Sequence, residues 1–218
     1  MSLDTYTNLQ AEITDWLNRA DLAAKVPTFI RLLEAQVQRT MRVREMVTVL
    51  DTTLAGGTNE IALPADYLQM KRIRVTSSVL PSDPLEYASE GELDRIEADL
   101  ASNTGAQPTT YGIVGSNIRF TPPADQDYSI ELTYYAKITG LSSGNQTNWL
   151  LNDHPDIYLY GALMQAAPYL KDDDRVPVWQ SVLSQLLEDL RIANERAENA
   201  GKPLRARIRP YGVVRPPQ

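Results

Sequence analysis

Apolar residues recur at helical spacing in two segments near the start of the chain. The first segment runs from Thr5 to Ala20, and its apolar positions are Leu9, Ile13, Trp16, Leu17 and Ala20. The second opens at Pro27, and its apolar positions are Phe29, Ile30, Leu33, Val37 and Met41. Asp4 or Thr5 can cap the first helix, and proline is favoured in a first helical turn. The spacing therefore predicts two amphipathic helices that pack as a hairpin.

At Met46 the pattern changes from helical spacing to the alternation typical of strands. Residues 47–53 and 59–63 flank the dipeptide Gly56-Gly57, which predicts a hairpin. The further predicted elements are a strand at 70–75, a strand at 84–87, a short helix at 90–100, a hairpin at 110–121 and a strand at 128–138. Residues 46–138 are thus expected to form a β-rich region between helices.

Two more helices are predicted after the polar loop 140–147. From Pro155 to Leu170 apolar residues occupy two faces, which is typical of a helix at the centre of a bundle, and Pro168 should bend or end it near Met164. The last helix, residues 174–199, is expected to stop at Gly201. Its single apolar stripe consists of Trp179, Val182, Leu183, Leu186, Leu190, Ala193 and Ala197.

Together these elements predict an α+β fold, in which a helical bundle carries an inserted β-rich domain and an extended C-terminal arm. We expect the bundle to comprise residues 1–45 and 148–201, and the insertion with its short helix to comprise residues 46–147. The arm is expected to comprise residues 202–218. A chain of 218 residues with 43% hydrophobic content is large enough to bury such a core.

Charge divides the chain into an acidic body and a basic tail. The whole chain carries 21 basic and 28 acidic residues, a net charge of −7. Residues 202–218 hold basic residues and no acidic one, so the first 201 residues keep 16 basic and 28 acidic residues, a net of −12. A charge of this sign opposes binding to nucleic-acid phosphates, so we expect the body to repel DNA.

Composition also limits the compartment and the chemistry. The chain has no cysteine, which excludes disulfides, thiolate zinc sites and cysteine nucleophiles and is compatible with a reducing cytoplasm. Its first residues lack the basic and apolar regions of a signal peptide, and no apolar run approaches the roughly 20 residues of a membrane span. We expect a soluble protein that is not exported and has no membrane partner.

One segment matches a catalytic pattern, the nucleophile elbow of serine hydrolases, at Gly140-Leu141-Ser142-Ser143-Gly144. An elbow needs a helix directly after the serine, but a polar loop follows Ser142. The only histidine is His154, whose neighbour Asp153 is badly placed to orient it. We therefore expect a flexible loop at Ser142 and a capping or turn role for His154, with a serine hydrolase as the enzymatic alternative.

Two acidic clusters have ordinary structural explanations. Asp172-Asp173-Asp174 precedes a helix, where carboxylates cap amides, although oxygen ligands could also attract a divalent cation. The acids of the short helix are expected to form its solvated face rather than a hydrolytic pair, and they are Glu90, Glu92, Asp94, Glu97 and Asp99. Phosphate-loop, Cys/His and dinucleotide motifs are missing from the sequence, so we predict no enzyme, no cofactor and no metal site.

The basic tail has an alternating pattern. Arg205, Arg207 and Arg209 alternate with the apolar residues Leu204, Ala206 and Ile208. In an extended chain the two sets project on opposite sides, which suits strand addition to an acidic partner groove with an apolar edge. The alternative is a disordered tail that aids solubility or contacts nucleic acid nonspecifically.

The C-terminal half resembles the hallmark segment of tailed-bacteriophage head-to-tail adaptor proteins. The resemblance lies in Asn-Trp-Leu-Leu at 148–151, in Pro-Asp-Ile-Tyr-Leu-Tyr-Gly-Ala-Leu at 155–163 and in Ala-Ala-Pro-Tyr-Leu-Lys-Asp-Asp at 166–173. Supporting matches are Pro-Ala-Asp-Tyr-Leu at 64–68, Tyr-Gly-Ile at 111–113 and Tyr-Tyr-Ala-Lys at 134–137. The order of elements is similar along nearly the whole chain.

This resemblance implies a ring, usually twelvefold, that lies below the portal protein and receives tail or nozzle proteins on its lower side. Double-stranded DNA would pass through the bore without specific binding, and the family supplies no catalytic residues. It also implies a location in the virion neck, after assembly in the host cytoplasm. The portal would bind the arm, and the arm residues expected to take part are Arg205, Arg207, Arg209, Tyr211 and Arg215.

A closed ring pairs two unlike faces of each subunit. One candidate is the basic face of the second helix, with Arg31, Arg39 and Arg42. The other is the acidic face of the short helix, with Glu90, Glu92 and Asp94. The non-enzymatic alternative to an adaptor is another neck protein or a tail terminator.

Overall fold

The computed structural model describes residues 3–76, 83–99, 105–170 and 174–199, and it has the predicted mixed α+β class. Its helices are α1 (Tyr6–Leu17), α2 (Val26–Thr40), α3 (Glu90–Asp99), α4 (Trp149–Asp153), α5 (Pro155–Ala166) and α6 (Val176–Asn199). Its strands are β1 (Val47–Leu54), β2 (Glu60–Ala62), β3 (Tyr67–Val75), β4 (Glu86–Tyr87), β5 (Thr110–Val114), β6 (Asn117–Thr121) and β7 (Tyr128–Ala136). The expected arm 202–218, the stop at Gly201 and the pair Asp172-Asp173 lie outside the described residues.

The first helix is shorter than predicted. Thr5 caps α1 by accepting a hydrogen bond from the N–H of Asn8, as expected. The helix ends because Asn18 adopts a left-handed conformation with φ of 51°, which asparagine tolerates better than most residues. Trp16 (39% exposed), which lies inside α1, and Ala20, which lies beyond it, are not core residues, which corrects the predicted stripe. A 3₁₀ segment, Ala20–Lys25, leads directly into α2.

Helix α5 lies at the centre of the helices, as its two apolar faces predict. It packs against α1, α2, α4 and α6, and it buries Ile157, Tyr158, Leu159 and Leu163. Its crossing with α2 is close, since a Cβ added at Gly161 would come within 2.3 Å of Leu33. The regular hydrogen bonding ends where Pro168 predicts, because α5 passes into a 3₁₀ turn at Ala167–Tyr169.

The last two turns of α6 differ from the prediction. Trp179, Leu183 and Leu190 are buried, but Ala193 and Ala197 are exposed. Here the partner of α6 changes from α5 to the chain between α2 and β1 and to β3, which present polar groups. Asn194 accepts a hydrogen bond from the backbone N–H of Arg44 at 2.8 Å, and Glu198 pairs with Lys71 at 3.2 Å.

The strands form two sheets with the orders β1-β7-β3 and β2-β6-β5-β4. The predicted hairpin of β5 and β6 is confirmed, with Gly115 in its turn. The predicted hairpin of β1 and β2 is wrong, because β1 pairs with β7 and β2 pairs with β6. Gly57 donates to the carbonyl of Ala124, and the N–H of Gly56 to Asp127, so this connection crosses between the sheets instead of reversing within one.

Buried apolar side chains form two clusters. The larger cluster comes mainly from the helices and the segments that connect them. The smaller one lies between the sheets, and its most buried members are Leu54, Ile73, Ile118, Phe120, Ile130 and Leu132. Among the described residues no helix is long and apolar enough to cross a membrane.

Candidate interaction surfaces

Of the three arginines predicted for the basic face of the second helix, Arg42 lies beyond the end of α2 and is used within the subunit, whereas the other two are exposed. Arg42 donates to the backbone carbonyl of Gln38 at 2.8 Å and to the side-chain oxygen of Gln69 at 3.2 Å. Arg31 and Arg39 are exposed, and Arg39 has no hydrogen bond or ion pair with any described residue. The exposed charge of this face therefore comes from Arg31 and Arg39.

The acidic face of α3 also contains side chains that are paired within the subunit and side chains that are not. Asp94 pairs with Arg119 of β6 at 2.9 Å, and Glu97 accepts two hydrogen bonds from the same guanidinium. The expectation of a wholly solvated acidic face is thus wrong for Glu97, whose side chain is 22% exposed, whereas the Asp94 side chain stays 60% exposed. Both carboxylates attach α3 to the sheet. Glu90 and Glu92 are exposed and have no ion pair in the described part of the chain.

Two exposed charged patches of opposite sign result, the basic patch (Arg31 and Arg39) on α2 and the acidic patch (Glu90 and Glu92) on α3. No ion pair joins the two patches within the described part of the subunit. Each patch is therefore accessible to another molecule. The predicted arm residues Arg205, Arg207, Arg209, Tyr211 and Arg215 lie outside the described residues.

A buried polar cluster, which sequence reasoning missed, connects α2 with the loop before α4. Glu34 of α2 is only 5% exposed, and its Oε1 accepts from the N–H of Leu141 at 2.8 Å and from the hydroxyl of Tyr158 at 2.9 Å. Asn148 donates to the Tyr158 hydroxyl at 2.7 Å and caps α4 by accepting from the N–H of Leu151. Three elements and one loop are joined by this cluster.

Burial governs the titration of this cluster. Desolvation raises the pKa of Glu34 despite the hydrogen bonds from Leu141 and Tyr158, and it also raises the pKa of Tyr158. A sequence signal existed, because Glu34 follows Ile30 by four positions and precedes Val37 by three. That spacing places Glu34 on the buried stripe of α2.

The loop 140–147 contains a compact turn rather than a nucleophile elbow. Ser142 and Asn145 exchange backbone hydrogen bonds at 2.9 and 3.1 Å, and the Ser142 Oγ accepts from the N–H of Asn145. No helix follows Ser142 directly, and no hydrogen bond links it to His154 among the described residues. His154 occupies the junction between α4 and α5, which agrees with the expected turn role.

The loop is also attached to the first helix. The N–H of Tyr6 donates to the carbonyl of Gln146 at 2.8 Å, and Thr7 contacts the Gln146 side chain. The part of the chain that the structure describes holds no group of three or more histidine and acidic side chains arranged for a metal ion. The described residues therefore present exposed charged and polar surfaces that could contact other proteins.

Comparison with known proteins identifies the family of the chain. A family model described as SU10 adaptor protein matches residues 4–207, which is nearly the whole chain. No curated protein sequence matches it. The match includes both charged patches, the buried cluster and the segments that resemble phage adaptors. The chain belongs to the SU10 adaptor protein family and is a structural protein of the bacteriophage head-to-tail adaptor type.

Proposed function

We propose that this adaptor forms a ring below the portal, joins the capsid to the tail or nozzle proteins and lets double-stranded DNA pass. The observation that carries the proposal is the family match over residues 4–207. A net charge of −12 on residues 1–201 supports it, because an acidic bore lets DNA slide without adhering. The protein then resides in the neck of the virion after assembly in the host cytoplasm.

The ring proposal includes a heterologous contact between the two charged patches. Rings require two unlike faces on each subunit, and the patches on α2 and α3 are exposed, opposite in charge and separate. Arg42 and Asp94 belong to the same faces but are already bonded within the subunit. Arg31 and Arg39 of one subunit would therefore meet Glu90 and Glu92 of the next. Twelve copies are the symmetry typical of such adaptors.

Portal binding is assigned to residues 202–218. This segment carries all of its charge as Lys and Arg, whereas the rest of the chain is acidic. Opposite charge accelerates encounter with an acidic partner, and alternating side chains suit strand addition. The same proposal includes a division of the chain into domains. The helical bundle comprises residues 1–45 and 148–201, the β-rich insertion comprises residues 46–147, and the arm extends from the bundle.

Imaging of the purified protein with and without portal rings tests the assembly. We expect twelvefold rings on the portal, and density that joins portal to adaptor. The variant that ends at Gly201 should keep its far-ultraviolet circular dichroism spectrum and melting temperature but no longer co-sediment with portal. Undiminished co-sedimentation of the truncated protein would contradict the role of the arm.

The same experiment separates an adaptor from another neck protein or a tail terminator. An adaptor binds portal before tail proteins are added, whereas a tail terminator binds tail proteins and never portal. A complex that forms only with tail proteins would replace the adaptor proposal. The compact turn at Ser142 gives no support to the hydrolase alternative.

A further inference from the structure

Strand β1 is an open edge of its sheet. It pairs with β7 on one side only, and it is the outermost strand. Residues 48–53 form no backbone hydrogen bond beyond this ladder in the part of the chain that the structure describes. In an antiparallel pair, alternate residues point their N–H and C=O groups away from the partner. The outer side of β1 can therefore accept one further strand.

The other edge of the same sheet, β3, is less suited to such pairing. The N–H of Leu85 donates to the carbonyl of Ile73 in β3 at 2.9 Å, and two register shifts interrupt the pairing of β3 with β7. By contrast, β1 pairs with β7 without interruption and contains no lysine and no proline. Edge strands are usually protected by such residues or by bulges. An intermolecular ladder is therefore favoured at β1.

The side chains of β1 are exposed on both faces of the sheet. None of the residues 48–53 is buried, and Val49 (57% exposed) and Leu50 (39% exposed) lie on opposite faces. Leu50 is opposite Leu132 of β7, which is fully buried in the smaller apolar cluster. A strand added outside β1 would cover Leu50 and extend that cluster. Burial of apolar surface would then stabilise the added strand, together with its backbone hydrogen bonds.

The sequence of β1 is complementary to itself in one antiparallel register, in which Leu50 lies opposite Leu50 of a second copy. Thr48 then faces Thr52, and Val49 faces Asp51. Threonines directly opposite each other stabilise antiparallel strands, whereas like charges directly opposite each other destabilise them. Asp51 is the only charged side chain of the strand, and this register sets it against valine and not against itself. A second copy of the chain therefore fits the edge.

We propose that two free subunits pair through their β1 strands as an antiparallel dimer, with Leu50 at the twofold axis. The two three-stranded sheets then form one continuous sheet in the order β3-β7-β1-β1-β7-β3. Such a contact is isologous, whereas neighbours in a cyclic ring make heterologous contacts. The dimer is therefore distinct from the proposed ring contact and does not depend on it. In the free protein it covers an edge that is otherwise open to unrelated chains.

Disulfide cross-linking of the full-length protein tests the register, since the chain has no cysteine of its own. Leu50→Cys places two thiols directly opposite each other, where Cβ atoms lie about 4.5–5.5 Å apart. Val49→Cys is the matched control, because Val49 is more exposed but meets its copy only on the diagonal, about 7–8 Å away. A disulfide needs close Cβ atoms, so we expect dimers to form at least about tenfold faster in Leu50→Cys under mild oxidation. Equal or faster cross-linking of Val49→Cys would overturn the register.

Sedimentation equilibrium of the full-length protein without portal measures the dimer itself. The wild type should pass from monomer to dimer as its concentration rises. High salt should not dissociate the dimer, because salt screens exposed charges and this contact consists of backbone hydrogen bonds and apolar side chains. Leu50→Lys should raise the dissociation constant at least about tenfold, since lysine on an edge strand opposes pairing. Val178→Lys is the matched control, because Val178 is 60% exposed on α6, and it should leave the constant unchanged.

The outcomes separate this dimer from the proposed ring. A monomer at every concentration would overturn the self-pairing and leave the edge of β1 to an extended segment of another protein. A dimer that Leu50→Lys leaves intact would overturn the pairing through β1. If Leu50→Lys abolishes the dimer but still forms rings on portal, the dimer and the ring both stand. If the wild type pairs through β1 but forms no rings on portal, the ring proposal fails and the dimer stands.

Discussion

At the scale of single residues, the buried carboxylate of Glu34 links the stability of this protein to pH. Its carboxylate is held by the N–H of Leu141 and the hydroxyl of Tyr158 in a place with almost no solvent contact. Burying a charge is costly even when hydrogen bonds accompany it. The cluster therefore makes stability depend on pH, while it fixes the loop between β7 and α4.

Glu34→Gln should change that dependence in a defined direction. Because burial raises the pKa of Glu34 in the folded state, the folded protein loses stability as pH rises from the normal glutamate pKa through the raised value. Glutamine can still accept both hydrogen bonds but has no charge. The difference in free energy of unfolding, variant minus wild type, should increase between pH 4.5 and pH 8 in urea titrations. The exposed control Glu92→Gln should show no such increase, and a flat difference for Glu34→Gln would contradict the assignment.

Gly161→Ala should destabilise the protein by about 1–3 kcal/mol through overpacking. A Cβ at this position would lie 2.3 Å from Leu33, whose side chain is fully buried and cannot move aside freely. Gly91→Ala in α3 is the matched control, since a Cβ there meets nothing within 4 Å. The control should be neutral or stabilising by up to about 1 kcal/mol. Urea unfolding of both variants measures the contrast, and equal effects would refute it.

At the scale of elements, the sequence pattern predicted the helices and turns that depend on contacts between residues close in sequence. The stripes of α1, α2 and α5 and the turn at Gly115 depend on neighbours within a few residues, and they agree with the structure except at helix ends. The pairing of β1 with β7 joins segments about 80 positions apart, so a local turn signal at Gly56-Gly57 suggested the wrong partner. The end of α6 was misjudged because its partner changes from an apolar helix to polar chain.

The charged patches on α2 and α3 were likewise predicted only as far as local sequence patterns allow. Exposure of Arg39 and Glu92 followed from helical periodicity, since they lie off the apolar stripes. The attachment of α3 through Asp94 and Glu97 could not be predicted from helical periodicity, because their partner Arg119 lies on a strand more than 20 residues away. Charge patterns along one helix indicate which side chains are polar. They do not indicate which of them are neutralised by another element.

Arg119→Ala should loosen α3 from the sheet. The arginine serves two carboxylates at once, and Glu97 is only partly exposed, so its loss leaves a half-buried charge without its cation. We expect a loss of about 1–2 kcal/mol in the free energy of unfolding, together with faster amide exchange throughout α3. Arg95→Ala on the same helix is the control, since Arg95 is exposed and unpaired in the described residues. Unchanged exchange in α3 would show that the ion pairs with Arg119 do not hold the helix on the sheet.

At the scale of the whole molecule, the proposed ring contact rests on exposed charges. Arg31 and Arg39 have no neutralising partner of opposite charge in α3 of the same subunit, and Glu90 and Glu92 have none in α2. Because every subunit of a ring carries both patches, reversing one patch sets like charges against each other at every contact. Reversing both patches restores opposite charges at every contact, with the signs exchanged.

Ring formation on portal should therefore fail in two variants and return in their combination. Arg31→Glu with Arg39→Glu, and separately Glu90→Arg with Glu92→Arg, should abolish rings in electron micrographs at low salt, whereas the fourfold variant should form them. Lys25→Glu with Arg196→Glu is the control for net charge, since both residues are exposed and lie outside the patches. High salt should weaken the wild-type ring, because exposed charges are screened over about 8–10 Å. Rings that persist in either single-patch variant would place the contact elsewhere on the subunit.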